Sequence, residues 1–457
     1  MKMPRKVTPR RFQIAGVKKI RQFGGRALIA DDPGLGKTLQ TLMYIANNKE
    51  IKRVLVICEA HLKWHWEQEA KKYYRMQSTI LGSRTPYEFE EQKITIVNYD
   101  IIKDWKEDLA SYDFQLVVID EGHKLQNPEA QWSKATKMVV RNAKYLLILT
   151  GTPVGHSPGD LWFLLHLLRP KRWNSQFDFG MYYCRPRRDK GKWIYRGAVK
   201  KRLPKLHRIL KKHVMIRRTK AEVEPDLPPK SRFTLPVEVD LTEYHMAEED
   251  FRQWLKTYHP EKRKALHAQD GRAKVGYLLR LTARLKMPAI KLWIDDFLYE
   301  SNEKLIVYGV NRAVVSGMYE EFKEMAVLVY GGTSEKYRRI AFDRFNNDKN
   351  CRLFFGNIQA AGTGWSAKKC PNQLHVQFSW KPNDHIQGEN RSHGISRGGG
   401  KPAFYWYMVA HGTIEETMAQ LCQEKAFVSD TILDGGKVAY RFDLYDEFLR
   451  TLKEKWS

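Results

Sequence analysis

Short apolar runs of strand length recur along the chain, each followed by a stretch with helical spacing. In the first half they are Ala27–Ala30, Val54–Cys58, Ile94–Asn98, Leu116–Asp120 and Tyr145–Leu149. In the second half they are Leu305–Tyr308, Val327–Tyr330, Arg352–Gly356, Leu374–Ser379 and Phe404–Val409. Strands alternating with helices suit parallel sheets covered on both faces. Two such series predict an α/β protein with two lobes in tandem: a first lobe over 1–220, a linker over 221–240 and a second lobe over 241–457. A basic, aromatic stretch at about 158–220 is expected as a helical insertion in the first lobe. Long amphipathic spacing at about 241–299 predicts a second helical insertion. The run Pro225–Asp226–Leu227–Pro228–Pro229 marks a stiff connector.

Composition adds a partner to this picture. The 457 residues are 42% hydrophobic and 29% charged, as in ordinary folded proteins, yet the formal net charge is +27. Folding does not require that excess, so a polyanion is expected. Between Lys171 and Lys220 stand 18 Lys and Arg against 2 acidic residues, a net of +16. Lys200–Lys201–Arg202 is the obvious phosphate-contacting run within it. Trp173, Tyr182, Tyr183, Trp193 and Tyr195 interleave with these charges. Packing is their default role, and base or sugar stacking is the other. The five cysteines are scattered without a C-x-x-C pair, which argues against a disulfide framework or zinc site and fits a reducing compartment. Met1–Arg11 lacks the apolar core of a signal peptide, and no apolar run approaches spanning length. A cytoplasmic or nucleoid-associated protein without a membrane partner is expected.

Two clusters carry chemistry. Asp32–Pro33–Gly34–Leu35–Gly36–Lys37–Thr38 follows a strand and opens a helix, as a phosphate-binding loop does. Gly34 and Gly36 let backbone N–H groups approach phosphates, Lys37 reaches the β- and γ-phosphates, and Thr38 ligates Mg²⁺. Val117–Val118–Ile119–Asp120–Glu121–Gly122–His123 puts two carboxylates at the C-terminal edge of a sheet. Asp120 is expected to hold Mg²⁺ and Glu121 to polarise the attacking water.

These and further segments, in order from Arg11 to about Lys425, resemble the Swi/Snf-like branch of helicase superfamily two. The resemblance implies two RecA-like lobes, ATP and Mg²⁺ as cofactors, and movement on DNA. Arg11–Val17 resembles the opening segment whose glutamine reads adenine, a role that falls to Gln13. Leu62–Trp66, Glu69 and Asn98–Tyr99 resemble segments that imply DNA contacts for Lys63, Trp66, Asn98 and Tyr99; for Trp66, core packing stays open. Asp120–Asn127 resembles the acidic box, with Gly122 in place of the usual alanine, a change expected to matter little. His123 is the one histidine with a positional argument for function.

Leu149–Pro153 and Asp160–Trp162 imply that Thr150 and Thr152 couple nucleotide state to DNA contact. Arg217–Lys220 with Leu227–Lys230 resembles the family's linker. Tyr330–Thr333 with Arg338, and the segment around Thr363, imply grip on one strand's phosphates. Trp380–Pro382 leads to Gln387, a coupling residue, and to Arg391; Gly412–Glu416 with Lys425 resembles the terminal signature. The second arginine of the final motif is replaced by Gly394, so the expectation is that Arg391 and Arg397 together stabilise charge on the γ-phosphate. Ala30–Asp31–Asp32 also resembles fork-remodelling and annealing members.

The expected activity is therefore ATP-dependent translocation on duplex or branched DNA, as in branch migration, fork remodelling or unwinding during recombination, replication or repair. Binding is expected to be largely sequence-independent and the working unit a monomer. The little length outside the motor segments suggests a bacteriophage or bacterial setting. An RNA helicase and an ATP-switched DNA clamp with little turnover stay open as alternatives.

Overall fold

The computed structural model describes residues 3–5, 7–189, 191–224, 226–249, 271–361, 365, 367, 369–393 and 401–436. They form two units, one of Met1–Asp226 with a segment beginning at Phe427, the other of Leu227–Ala426.

The first unit holds a seven-stranded sheet made of β1 (Arg26–Ile29), β2 (Val54–Cys58), β3 (Ser78–Ile80), β4 (Ile94–Asn98), β5 (Leu116–Asp120), β6 (Tyr145–Leu149) and, later in the chain, Met215–Ile216. Every adjacent pair is parallel. Alternate residues feed two separate cores. Leu55 and Ile57 enter one with Val117 and Leu146, while Val54, Val56 and Cys58 enter the other with Leu116 and Val118. That double burial is why these strands read as unbroken apolar runs. All strands point the same way, so their C-terminal ends gather at one edge of the sheet.

The insertion departs from the helical expectation. Helices Trp162–Leu168, Gln176–Tyr183 and Leu203–His213 are present, but between them stands an antiparallel hairpin of β7 (Arg185–Asp189) and β8 (Lys192–Arg196). Beyond it Met215–Ile216, β9, completes the sheet order β3–β4–β2–β5–β6–β1–β9. Half of the hairpin's strand residues are cationic and no described one is buried, so no hydrophobic alternation announces them.

The second unit has six parallel strands: β10 (Lys230–Val237), β11 (Leu305–Gly309), β12 (Ala326–Val329), β13 (Leu353–Asn357), β14 (Asn372–His375) and β15 (Ala403–Ala410). Their order is β10–β15–β14–β11–β13–β12. Two tandem parallel-sheet lobes are thus present, the RecA-like architecture expected. The linker limits are not: Lys230–Val237 is a full edge strand, paired with β15 from Lys230↔Ala403 to Val237↔Ala410. An edge tolerates Pro236, which donates no ladder hydrogen bond. The region expected as a second helical insertion is helical where described, over Thr242–Glu249 and Gly271–Glu300. The expected extent of the second lobe also needs correction, because the end of the helix Ile414–Asp434 belongs to the first unit. Val428, Ile432 and Leu433 are buried in that unit's core.

Below the second sheet lies a buried polar set. The Glu389 carboxylate takes both Arg232 Nε (2.7 Å) and Nη2 (2.6 Å), with Tyr407 O–H donating at 2.8 Å. Burial alone would raise this carboxyl, but Arg232 and Lys230 outweigh it and hold it far below the usual range. Nearby, His385 Nε2 accepts the Ser379 N–H at 3.0 Å, which requires a bare nitrogen. Burial pushes His385 down to about 4 and His375 well below its ordinary value.

A base whose folded-state pKa is depressed must stay neutral to remain buried. The unfolded chain takes up those protons first as pH falls below about 6.5, so stability is lost as pH drops from there toward 4. The loss should approach about 1.4 kcal/mol per pH unit for each histidine. Urea midpoints measured between pH 7 and 4.5 should decline accordingly, and His385→Gln should flatten the slope. An unchanged slope in that variant would mean that His385 takes up its proton alike in the folded and unfolded chain.

Candidate nucleotide-binding site

The phosphate loop leaves the end of β1 and enters the helix Lys37–Ala46. Gly34 and Gly36 have φ of 92° and 74°, a left-handed conformation that side chains rarely adopt. Lys37 Nζ rests on the Asp31 carbonyl at 2.9 Å. Gln13 lies over the loop, with Nε2 donating to Leu35 O at 3.2 Å and Oε1 accepting the Arg10 N–H at 2.9 Å.

The loop is fixed from behind by two charged doublets on neighbouring strands. Asp31 is fully buried and takes Arg218 through Nε (3.0 Å) and Nη2 (2.9 Å). Gln40, on the helix that the loop opens, joins both: its Nε2 donates to Asp31 at 2.9 Å and its Oε1 accepts from Arg218 at 3.0 Å. Asp32 takes Arg217 Nη1 at 2.6 Å and the Lys220 N–H at 2.9 Å. Arg217 also grips Asp434 at 2.8 and 2.9 Å.

Asp120 ends β5, two strands from β1 with β6 between. Its carboxylate accepts the Trp66 Nε1–H at 2.8 Å and the Glu121 N–H at 2.9 Å, and its carbonyl accepts the Tyr99 hydroxyl at 2.6 Å. Burial, then the charge of Glu121, pushes the Asp120 carboxyl up to about 6; Trp66 and Lys37 oppose that shift. Glu121 has φ 49° and ψ 47°, a backbone state costing an L-residue about 1–2 kcal/mol. Such strain persists where surroundings impose it, and it clusters at active sites.

From Glu121 a polar path crosses to β6. Glu121 Oε2 lies 3.2 Å from His123 Nδ1, which lies 3.2 Å from Thr150 Oγ1, which accepts the Thr152 N–H at 3.2 Å. Both threonines are buried. Gly151 between them lies so close to Pro33 that a methyl group there would meet the ring at 2.8 Å. The loop, the acidic pair and the Thr150–Thr152 turn therefore form one connected edge.

A family model described as the SNF2-related domain matches residues 13–286. The chain belongs to the SNF2-related family. It is 27% identical to the human DNA annealing helicase and endonuclease ZRANB3 over 98% of this chain and 42% of that protein. It is also 27% identical to the Xenopus tropicalis SWI/SNF-related matrix-associated actin-dependent regulator of chromatin subfamily A-like protein 1, over 91% of this chain and 44% of that one. The chain thus spans less than half the length of these curated relatives. A solved Sulfolobus solfataricus SWI2/SNF2 ATPase core in complex with dsDNA is 22% identical over 94% of each chain, at a TM-score of 0.45.

Several residues expected to touch DNA in this SNF2-related chain are placed otherwise. Trp66 is fully buried and serves Asp120, while its neighbour Trp64 is 54% exposed. Tyr99 and Asn98 are buried too, Tyr99 on Asp120 O and Asn98 Nδ2 on Asp100 at 3.0 Å. Side chains enclosed in this way present little surface to a phosphate. Lys63 is half-buried with Nζ on Leu81 O at 2.9 Å, and burial lowers its pKa. Lys200 and Lys201 are exposed, and Arg202 stacks on Tyr182 at 4.2 Å.

In the second unit Arg338 donates to Ala360 O at 2.7 Å. Arg391 donates to Trp365 O at 2.7 Å and to the carbonyl of Gln387 at 3.2 Å. Thr363, Gly394 and Arg397 lie outside the described residues. Sequence reasoning missed the Asp31–Arg218 and Asp32–Arg217 pairing, though one signal was there: an acidic doublet and a basic doublet, each following a short apolar run.

Gly122 matters more than expected. A Cβ at this position would sit 2.3 Å from Ile148 Cγ2. Gly122→Ala should therefore destabilise the first unit by about 1–3 kcal/mol through overpacking. Ile148→Leu, which lacks the γ2 methyl at nearly the same volume, should recover part of that loss in the same chain, a non-additivity that thermal melting of the four-member cycle will read.

Proposed function

We propose that this chain is an ATP-dependent DNA translocase acting on duplex or branched DNA, of the annealing and fork-remodelling kind. The observation that carries the reading is the connected edge: phosphate loop, acidic pair and the His123–Thr150–Thr152 path. ATP supplies the energy through γ-phosphate hydrolysis, and Mg²⁺ neutralises the charge that develops. The donors suit Mg²⁺, which takes one or two protein oxygens when phosphates complete its shell; Asp120 and the Thr38 hydroxyl are that sparse set. Gln13 reads the base, and the loop amides with Lys37 bind the phosphates. Glu121 orients and deprotonates the attacking water.

His123 senses that event and passes it to Thr150, because its ring meets both within hydrogen-bonding reach. Arg391, with Arg397, is proposed to stabilise γ-phosphate charge, and Gln387 to couple it to DNA contact. Thr363, Arg338 and the run Lys200–Lys201–Arg202 are proposed to hold DNA phosphates. Support for the annealing kind comes from the relative named a DNA annealing helicase.

Lys37→Ala and Glu121→Gln should each reduce DNA-stimulated ATP hydrolysis at least a hundredfold. Glu121→Gln should still bind a fluorescent ATP analogue, because Asp120 remains. Substantial turnover by Glu121→Gln would refute its role. Stimulation by RNA but not duplex DNA would instead favour an RNA helicase.

Reversing three or four charges within Lys171–Lys220 should weaken duplex binding. The slope of log Kd against log salt should fall by about 0.9 for every phosphate that is no longer neutralised. The weakening should be similar across DNA sequences. An unchanged slope would make the cluster a solvated surface.

A further inference from the structure

The five aromatics that interleave with the basic cluster separate into distinct roles. Trp173 and Tyr183 are buried core residues. Tyr195 roots the β7–β8 hairpin: its ring lies against Gly180, where a Cβ would come within 2.1 Å, and its carbonyl accepts the Ser157 hydroxyl at 2.9 Å. Tyr182 is 38% exposed but already has two cations against its ring, Arg202 at 4.2 Å and Lys205 at 5.3 Å. Trp193 has no place in the core and keeps much of its indole in solvent.

Trp193 pairs across the hairpin with Arg188, two positions beyond Tyr195↔Pro186 and so on the same face. The Arg188 guanidinium lies 5.5 Å from the indole centroid. Phe177, from the helix Gln176–Tyr183, meets the indole at 5.9 Å and 67°, edge-on rather than flat. Phe177 remains 47% exposed and Trp193 39%. The opposite face of the hairpin carries Arg185, Arg187 and Arg196. The rooted hairpin thus carries one exposed aromatic ring, the helix Gln176–Tyr183 brings a second against it, and Arg188 lies beside them.

Cations alone suffice for duplex phosphates, which offer charge and no flat apolar surface. Exposed aromatic rings among them match a ligand that presents both phosphate and an open π-face, which is a nucleic-acid strand whose bases are unpaired. We propose that Trp193 and Phe177 form a stacking site for unpaired bases, so that the hairpin engages a single-stranded arm next to duplex DNA. This rests on the reading of the chain as a DNA translocase and names a structure it prefers.

The test uses the full chain, a blunt duplex, and the same duplex carrying a single-stranded arm with 2-aminopurine. The wild-type chain should bind the armed duplex about tenfold more tightly, with 2-aminopurine emission quenched by stacking. Phe177→Ala/Trp193→Ala should lose the preference and the quenching, while blunt-duplex affinity and blunt-duplex-stimulated ATP turnover stay within about twofold of wild type. Arg188→Glu should weaken arm binding without restoring emission to the level of the double variant.

A double variant that keeps the full arm preference would overturn the proposal, as would a wild-type chain with no quenching. Equal weakening on both DNAs would overturn it too, by making the rings general duplex contacts or structural props. Failure of any DNA to stimulate ATP hydrolysis would sink the translocase reading instead, since arm preference and quenching are read without ATP.

Discussion

The first unit depends on charge pairing across the parallel strands β1 and β9. Asp31 and Asp32 leave one strand as Arg218 and Arg217 leave the next, and Asp31 meets its arginine with no solvent exposure. A carboxylate so enclosed is tolerable only when its oxygens are occupied, and Arg218 with Gln40 occupies them. Pairs of this kind contribute little net stability over apolar substitutes, but removal of one partner strands the other at a cost of about 3–5 kcal/mol. They give placement instead. The loop between Asp32 and Lys37 is placed by the two doublets together with the buried Leu35 and the Gln13 contact to its carbonyl.

The acidic pair is positioned by a different means. Asp120 is held from two sides, by the Trp66 indole and by its own neighbour's amide, while Glu121 bears a strained backbone. The strained turn follows the end of β5, and His123 beyond it meets Thr150, which directly follows β6. Burial and the neighbouring charge of Glu121 both disfavour the ionised form of Asp120, and the Trp66 indole and the Glu121 amide oppose them.

Much of this was legible in the sequence, and the reasons are physical. Doubly buried strands must be apolar throughout, so the principal strands of both sheets announced themselves. Phosphate and metal chemistry admits few residue types, so Lys37, Thr38, Asp120 and Glu121 stand out as candidates, and the structure sets Lys37 close enough to Asp120 to bear on its charge. What stayed hidden lacked such a constraint. β9 is two residues long, β10 carries lysine, arginine and proline along an edge, and the β7–β8 hairpin is too basic to show alternation. Asn98 and Tyr99, expected at DNA, and Trp66, open between DNA and core, are all buried, because a motif position says that a residue is needed near the site, not which way its side chain turns. Trp64 and Trp66 differ by two places, which on a helix is enough to separate solvent from core.

The close approach of Gly122 to Ile148 also bears on how such a chain can change over generations. A methyl at 122 and the isoleucine γ-methyl at 148 claim the same space, 2.3 Å apart. Each state suits its own partner, and the mixed state that joins alanine with isoleucine is the crowded one. A chain that trims residue 148 before it enlarges residue 122 avoids that crowded state. What the acidic box can hold at 122 thus depends partly on the neighbouring strand, at a side chain buried in the core.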